Sequence, residues 1–186
     1  MQLLQEEKEL IKGLFLLSEK PEIIVLNVAE KDYTEEKIAE VIRQYKEALS
    51  LREDKFVVIS AKIEAELAEL SLADQKQYLK DLGLKQSGLE RLISKAYETL
   101  GIISFLTAGE KEVRAWTIQK TTKAIDAAGV IHTDFIRNFI KAEVVLFDDF
   151  INLGGWKKAR EVGKTRFEGK DYIVKDGDVI EFKIGT

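Results

Sequence analysis

Leu3, Leu10, Ile11, Leu14, Phe15 and Leu17 recur at helical spacing, so the pattern predicts an opening helix. Pro21, the single proline, cannot continue it. Glu22–Asn27 (EIIVLN) is short and β-branched, which predicts a strand buried on both faces, as in a parallel sheet. Thr34 is placed to cap a helix whose first turn holds Glu35 and Glu36 and whose stripe is Ile38, Val41, Ile42, Tyr45 and Leu49. Lys55–Ser60 (KFVVIS) predicts a second buried strand, completing a βαβ unit with a right-handed crossover. Ile63, Leu67 and Leu70 continue in helical register. Ser71 with Asp74, and Ser87 with Glu90, match capping boxes for two further helices, the second ending at Gly101.

Beyond residue 101 the period shortens. Ile102–Thr107 and Val113–Ile118 predict strands joined by a loop at Ala108–Glu112 that contains Gly109. A short helix over Thr122–Ala128 should end at Gly129, and Glu143–Phe147 predicts a strand. Phe150 to Val162 predicts one or two short helices broken at Gly154-Gly155. Lys170–Val174 and Val179–Lys183 predict strands paired as a hairpin across Asp176-Gly177. Four or five strands around one main helix suggest an α+β β-grasp, ubiquitin-like domain over 101–186. The α/β part preceding it spans 1–100.

Composition narrows the chemistry. Apolar residues are 45% and charged residues 33% of the 186, enough for a folded core. Glycine supports the boundary, with three of twelve before residue 101 and nine from residue 101 onward. The net charge of −4 divides as −5 over residues 1–100 (15 basic, 20 acidic) and +1 over 101–186 (14 basic, 13 acidic), so neither half is a nucleic-acid binder on charge alone. No cysteine is present, which excludes disulfides, thiolate metal sites and cysteine nucleophiles. His132 is the single histidine, so a multi-histidine metal centre is excluded as well. No apolar run approaches the roughly 18 residues of a membrane span. The opening MQLLQEEKEL lacks a secretory pattern, so the expectation is a cytoplasmic protein without membrane partners.

Asn27-Val28-Ala29-Glu30 ends the first predicted strand, and ligands of open α/β sheets bind at that edge. An asparagine amide donates and accepts, which suits a purine edge, and Glu30 can accept from an exocyclic amine. Ser60-Ala61-Lys62 ends the other strand, so its backbone amides can line the same pocket. The bland alternative is that Asn27 caps a loop and Glu30 is solvated. Gly163-Lys164-Thr165 imitates the end of a phosphate-binding loop, but position 158 is lysine rather than glycine and no buried strand precedes it. Asp126-Ala127-Ala128-Gly129 imitates D-x-x-G on a predicted helix. His132 precedes Thr133-Asp134 with no nucleophile to serve, so a local hydrogen bond is the expected role. Arg114, Lys120, Lys123, Arg137 and Lys141 with Trp116 would make a mixed basic and aromatic face for RNA. Alternatively Trp116 is core and the charges are solvated. No catalytic residue and no metal ligand is assigned.

The segments TAGEKEVRAWTI (107–118), AAGVIHTDF (127–135), FIKAEV (139–144) and YIVKDGDVIEFK (172–183) resemble the TGS domain that closes the YchF / Obg-like ATPase family. NVAEKDY (27–33), SAKIEAELAEL (60–70) and YLKDLGLKQSGLERLI (78–93) resemble the stretch just before it. The resemblance implies a carboxy-terminal fragment of a ribosome-associated P-loop nucleotidase using ATP or GTP with magnesium. Residues 1–100 would be the end of the nucleotide domain and 101–186 the TGS domain. The family's N-x-x-E motif falls on Asn27 to Glu30, so Asn27, Val28 and Glu30 would contact the base, with Ser60 and Ala61 in the following loop. The implied partner is the ribosome or its RNA. The family's P-loop, its switch regions and most or all of its coiled coil have no counterpart in these 186 residues. The expectations are therefore no tight nucleotide binding, no hydrolysis by this chain alone, and self-association through exposed sheet edges. The alternative is a stand-alone TGS binding module. Ile125, where the family pattern has proline, and Ile136-Arg137-Asn138, where it is richer in glycine, are local departures.

Overall fold

The computed structural model describes residues 10–109 and 112–185, so Leu3 and the loop residues Glu110 and Lys111 lie outside the described residues. The chain divides between Leu100 and Gly101 into two compact units, both of mixed α/β structure.

In the first unit, β1 (Ile24–Asn27) and β2 (Phe56–Ile59) pair in parallel, with Ile24 opposite Phe56 and Asn27 opposite Ile59. The crossover is helix α1 (Glu35–Leu49), started by the Thr34 hydroxyl accepting the Lys37 N–H at 3.4 Å. Helices α2 (Ala61–Ala68), α3 (Leu72–Asp81) and α4 (Gly88–Leu100) follow. The box at Ser87 and Glu90 forms in full and the one at Ser71 and Asp74 by half. Ser71 Oγ accepts from the Asp74 N–H, while Ser87 Oγ and the Glu90 carboxylate each accept the other's backbone N–H. The core gathers Tyr33, Val58, Ile63, Leu67, Leu79 and Leu84, with Leu26, Ile38, Val41 and Ile42 against it.

Two expectations need correction here. Strand β1 is not buried on both faces. It alternates, and Val25 stays 42% exposed, because only two strands pair and helices cover just one side of β1. The opening helix is present at Leu10 and Ile11, the first described residues, but does not run on to Leu17. Lys12–Leu14 and Leu17–Glu19 are single 3₁₀ turns, and Leu10, Phe15 and Leu17 remain exposed.

In the second unit, β3 (Ile102–Ala108) and β4 (Val113–Gln119) form an antiparallel pair. Then come α5 (Ala124–Ile131), α6 (Thr133–Arg137), β5 (Phe139–Leu146), α7 (Phe147–Leu153), α8 (Trp156–Glu161), β6 (Arg166–Glu168) and β7 (Asp178–Ile184). The sheet order is β4-β3-β7-β5-β6, with β7 parallel to β3 and antiparallel to β5. Alternation along the strands gives two cores. Ile103, Phe105, Ala142, Val144 and Ile180 face α5. Val145 and Val179 pack on the other face with Ala159 of α8.

The predicted hairpin across Asp176-Gly177 does not form. Residues 170–174 contribute only an isolated bridge between Ile173 and Lys123, and β7 inserts between β3 and β5. The turn is tied to β3 instead: the Ser104 N–H donates to Asp176 Oδ1 at 2.9 Å and the Gly177 N–H to Ser104 O at 2.9 Å. Gly177 takes φ +75°, which glycine alone adopts freely. Helix α5 runs through Gly129 rather than stopping there. A Cβ at Gly129 would lie 2.5 Å from Ile136 Cδ1, so this glycine admits α6 rather than ending α5.

On the α8 side, Glu143 is only 2% exposed. Its carboxylate accepts from Arg160 Nε at 2.7 Å and Nη2 at 2.9 Å, and Lys183 Nζ lies 3.5 Å away. The Arg160 hydrogen bonds hold the Glu143 carboxyl below its ordinary range against the opposing effect of burial. A lowered native pKa adds stability at neutral pH that is lost as pH falls through that pKa. Urea titrations should therefore show Glu143→Gln destabilised by about 2 kcal/mol at neutral pH. The gap from the parent should close in acid, and a gap independent of pH would contradict this assignment.

Candidate functional site

The parallel register brings the carboxyl ends of β1 and β2 side by side. The Val28 N–H donates to Ile59 O at 2.9 Å, so the chain leaving β1 is still held to β2. One step on, Asn27 Oδ1 accepts the Ala61 N–H at 3.0 Å. Ala61 is the first residue of α2, and its N–H is among those a helix cannot satisfy internally. Asn27 is thus a cap supplied from the neighbouring strand. Its amide nitrogen remains a donor at the exposed edge.

Ser60 occupies the N-cap position, yet its side chain makes no capping bond. It is fully buried and Oγ has no partner. Glu30 opens a 3₁₀ turn over Glu30–Asp32 and pairs with Lys62 Nζ at 2.5 Å. Lys62 also lies 3.7 Å from Glu66, whose carboxylate accepts from the Tyr78 hydroxyl at 2.7 Å. The hydrogen bond that Lys62 donates to Glu30 pushes the Lys62 pKa up.

The structure therefore gathers Asn27, Val28, Glu30, Ser60 and Ala61 at one edge. Chemically the edge offers an amide donor, a carboxylate acceptor and a buried hydroxyl beside a helix N-terminus. That set matches the polar rim of a planar heterocycle. Two groups are engaged within the chain: the Ala61 N–H by Asn27, and Glu30 by Lys62. Sequence spacing missed Lys62 as a partner of Glu30, since 32 residues separate them. A cleft of about 680 Å³ lies at the opposite, amino end of the strands, lined by Pro21, Glu22, Arg52, Lys55, Lys95 and Glu98. It holds charges of both signs and none of the candidate residues.

In the second unit the five candidate cations do not share a face. Arg114 lies in register with Trp116 and Ile118 on the α5 side, its guanidinium 4.2 Å from the Trp116 ring centre. Lys141 alternates with the core residue Ala142 and so lies on the other side, its Nζ 3.6 Å from the Phe167 ring centre. Lys123 is held by Asp171 at 2.6 Å. Lys120 follows β4 and Arg137 ends α6, both exposed. Trp116 packs against the core and donates from Nε1 to Thr107 Oγ1 at 2.9 Å.

The remaining motifs have local explanations. His132 Nδ1 accepts the Asp134 N–H at 3.2 Å and caps α6. Gly163, at φ +69°, follows the end of α8, and Lys164 Nζ pairs with Asp149 at 3.3 Å. Among the described residues no cluster of three or more acidic or histidine side chains could hold a metal ion. None of their helices is long and apolar enough to cross a membrane.

Comparison with known proteins matches residues 102–185 to a family described as "YchF-GTPase_C: Protein of unknown function (DUF933)". The ribosome-binding ATPase YchF of Bacillus subtilis is 43% identical over 182 residues, covering 98% of this chain and 50% of that protein. Obg-like ATPase 1 of Rattus norvegicus is 42% identical over 183 residues, covering 97% and 46%. The chain thus spans about half the length of the curated relatives it matches. Among solved structures, the YchF GTPase of Schizosaccharomyces pombe superposes with a TM-score of 0.79 at 32% identity, covering 98% of this chain and 48% of that one. A GTP-binding protein from Pyrococcus horikoshii shares the fold at TM-score 0.53 and 18% identity, covering 87% and 45%.

If Asn27 caps α2, Asn27→Ala should cost the first unit about 1 kcal/mol. Amide exchange at Ala61 should accelerate well beyond that at Leu67, in the same helix. Equal acceleration at both would remove the capping role.

Proposed function

The chain is homologous along nearly its whole length to the carboxy-terminal half of the YchF / Obg-like ATPase family, and from that relationship we propose that it carries that half's work in a ribosome-bound ATPase. The first unit is the closing part of a nucleotide domain. In it Asn27, Val28 and Glu30 recognise the base of ATP or GTP, with Ser60 and Ala61 completing the pocket. The second unit is a TGS domain of β-grasp form, and its exposed cations meet the ribosome or its RNA. The observation that carries this reading is the collinear match, in which Asn27 and Glu30 fall at the carboxyl end of a parallel strand beside the start of α2.

The β-grasp assignment is supported by the order β4-β3-β7-β5-β6, with a parallel central pair and α5 across one face. The partial-domain assignment is supported by the two-stranded sheet, which leaves strand edges and Val25 open for further strands or a second copy. Glu30 accepts from an exocyclic amine once Lys62 gives way, and the Asn27 amide nitrogen donates to a ring nitrogen. Magnesium-bound phosphates would be handled by parts of the relatives that do not align here.

A second reading has its own support. With the Ala61 N–H and Glu30 already engaged, the chain serves as a binding module that performs no chemistry.

Two experiments test the proposal. The chain should co-sediment with ribosomes at moderate salt, and Arg114→Ala or Arg137→Ala should each flatten the salt slope by about one. Lys123→Ala should change it less, because Asp171 already neutralises that charge. Loss of binding at every salt concentration would reject a ribosome contact on this chain. Separately, the purified chain should show no magnesium-dependent ATP turnover, since phosphate positioning supplies nearly all catalysis in this chemistry. Turnover that Asn27→Ala abolishes would reject that expectation.

A further inference from the structure

Behind the candidate edge, three segments meet around the buried Tyr33. Tyr33 lies three residues after Glu30, is fully buried, and closes the 3₁₀ turn with its N–H on Glu30 O at 3.0 Å. Glu64 lies three residues after Ala61 on α2. Arg91 and Gly88 come from α4. Arg91 Nη2 donates to the Tyr33 hydroxyl at 2.7 Å and to Val58 O in β2 at 2.9 Å, while Nη1 donates to Gln86 O at 3.1 Å. The Tyr33 hydroxyl in turn donates to Glu64 Oε1 at 3.4 Å. The same carboxylate accepts the Gly88 N–H at 2.7 Å and the Leu89 N–H at 3.2 Å, so it caps α4.

Nothing larger than glycine fits at position 88. A Cβ there would lie 2.5 Å from the Tyr33 hydroxyl and 2.9 Å from both Glu64 Oε1 and Ile59 Cγ2. Burial pushes the Tyr33 hydroxyl pKa up, so it stays a neutral phenol that accepts from Arg91 while donating to Glu64.

We propose that Tyr33, Glu64 and Arg91 are positioning residues for the base site, locking the Val28–Glu30 loop to the start of α2 so that the edge is formed before a base arrives. This rests on the base-site reading given under Proposed function. The loop bearing Glu30 is otherwise held to the second strand by the Val28–Ile59 bond and to α2 by the exposed Glu30–Lys62 pair alone. Exposed pairs of that kind contribute about 1 kcal/mol or less. The Asn27–Ala61 bond sets one corner of the edge, and the half-buried Tyr33–Glu64–Arg91 contact sets the other. A preformed edge binds more tightly because ordering is complete before the ligand arrives.

The test follows backbone amides of the whole chain by NMR, with ATP and GTP as probes. Tyr33→Phe removes one oxygen and leaves the ring. Arg91→Met keeps most of the apolar stem, and Arg91→Lys retains a donor. Tyr33→Phe and Arg91→Met should each weaken the affinity for whichever probe binds by about tenfold. Each should also speed exchange at Val28 and Ala61 by about tenfold, while Leu84, bonded to Leu79 O in the same core, changes little. Arg91→Lys should recover part of both effects.

Exchange rising equally at Val28, Ala61 and Leu84 would show a purely stabilising role and overturn the proposal. A parental response at residues 27–30 and 60–61 that Asn27→Ala removes but Tyr33→Phe leaves intact would overturn this proposal alone. No response of those amides to either nucleotide in the parent chain would overturn the base-site reading, and this proposal with it.

Discussion

The parallel register that sets Asn27 opposite Ile59 is the constraint on which the candidate edge depends. A shift of one residue would turn Asn27 away and send Leu26 out of the core. With the register as it stands, Asn27 reaches the first amide of α2 and Val28 stays bonded to Ile59. The loop leaving β1 then begins close to α2. Tyr33 and Glu64 can meet only because those starting points are fixed, and Arg91 closes the same contact from α4.

The second unit depends on a different constraint. Strand β7 is central, so the chain must return between β3 and β5 after the long stretch from β6. Asp178 fixes that return. It is fully buried and accepts from the Tyr172 hydroxyl at 2.8 Å and the Lys175 N–H at 2.9 Å. Burial, then the bond to Asp178, pushes the Tyr172 pKa up to about 12. Asp176 holds the same turn to Ser104. Two acidic side chains therefore do the work that a hairpin was expected to do, and the sheet closes with both faces covered in part.

Apart from Ser60 Oγ, which is buried without a partner, the acceptors of the candidate edge are engaged within the chain. That is what buried or half-buried polar groups require, since an unpaired one is costly. The pair most easily surrendered is Glu30 with Lys62, because both side chains are exposed and their attraction is screened. The Asn27–Ala61 bond caps a helix and is costlier to break. A ligand at this edge would therefore exchange partners with Glu30 first and leave the Asn27 cap in place, meeting Asn27 through its free amide nitrogen.

Much of the local structure was legible in the sequence. The capping residues Thr34, Ser71 and Ser87, the helix break at Gly154-Gly155, and the strands around Val57, Phe105 and Val144 follow from side-chain chemistry and periodicity within a few residues. The gathering of Asn27 with Ser60 and Ala61 was legible too, because a βαβ unit dictates where strand ends go. The pairings across long sequence distances were not. Glu30 with Lys62, Tyr33 with Arg91 and Glu143 with Arg160 carry no local signature, since any exposed lysine or arginine satisfies the same pattern. The scattering of Arg114 and Lys141 to opposite faces, the insertion of β7 and the passage of α5 through Gly129 were likewise decided by packing. Local sequence determines which elements form because capping and periodicity act over a few residues. Tertiary structure decides which polar groups meet because burial, acting across the whole chain, sets which of them must find a partner.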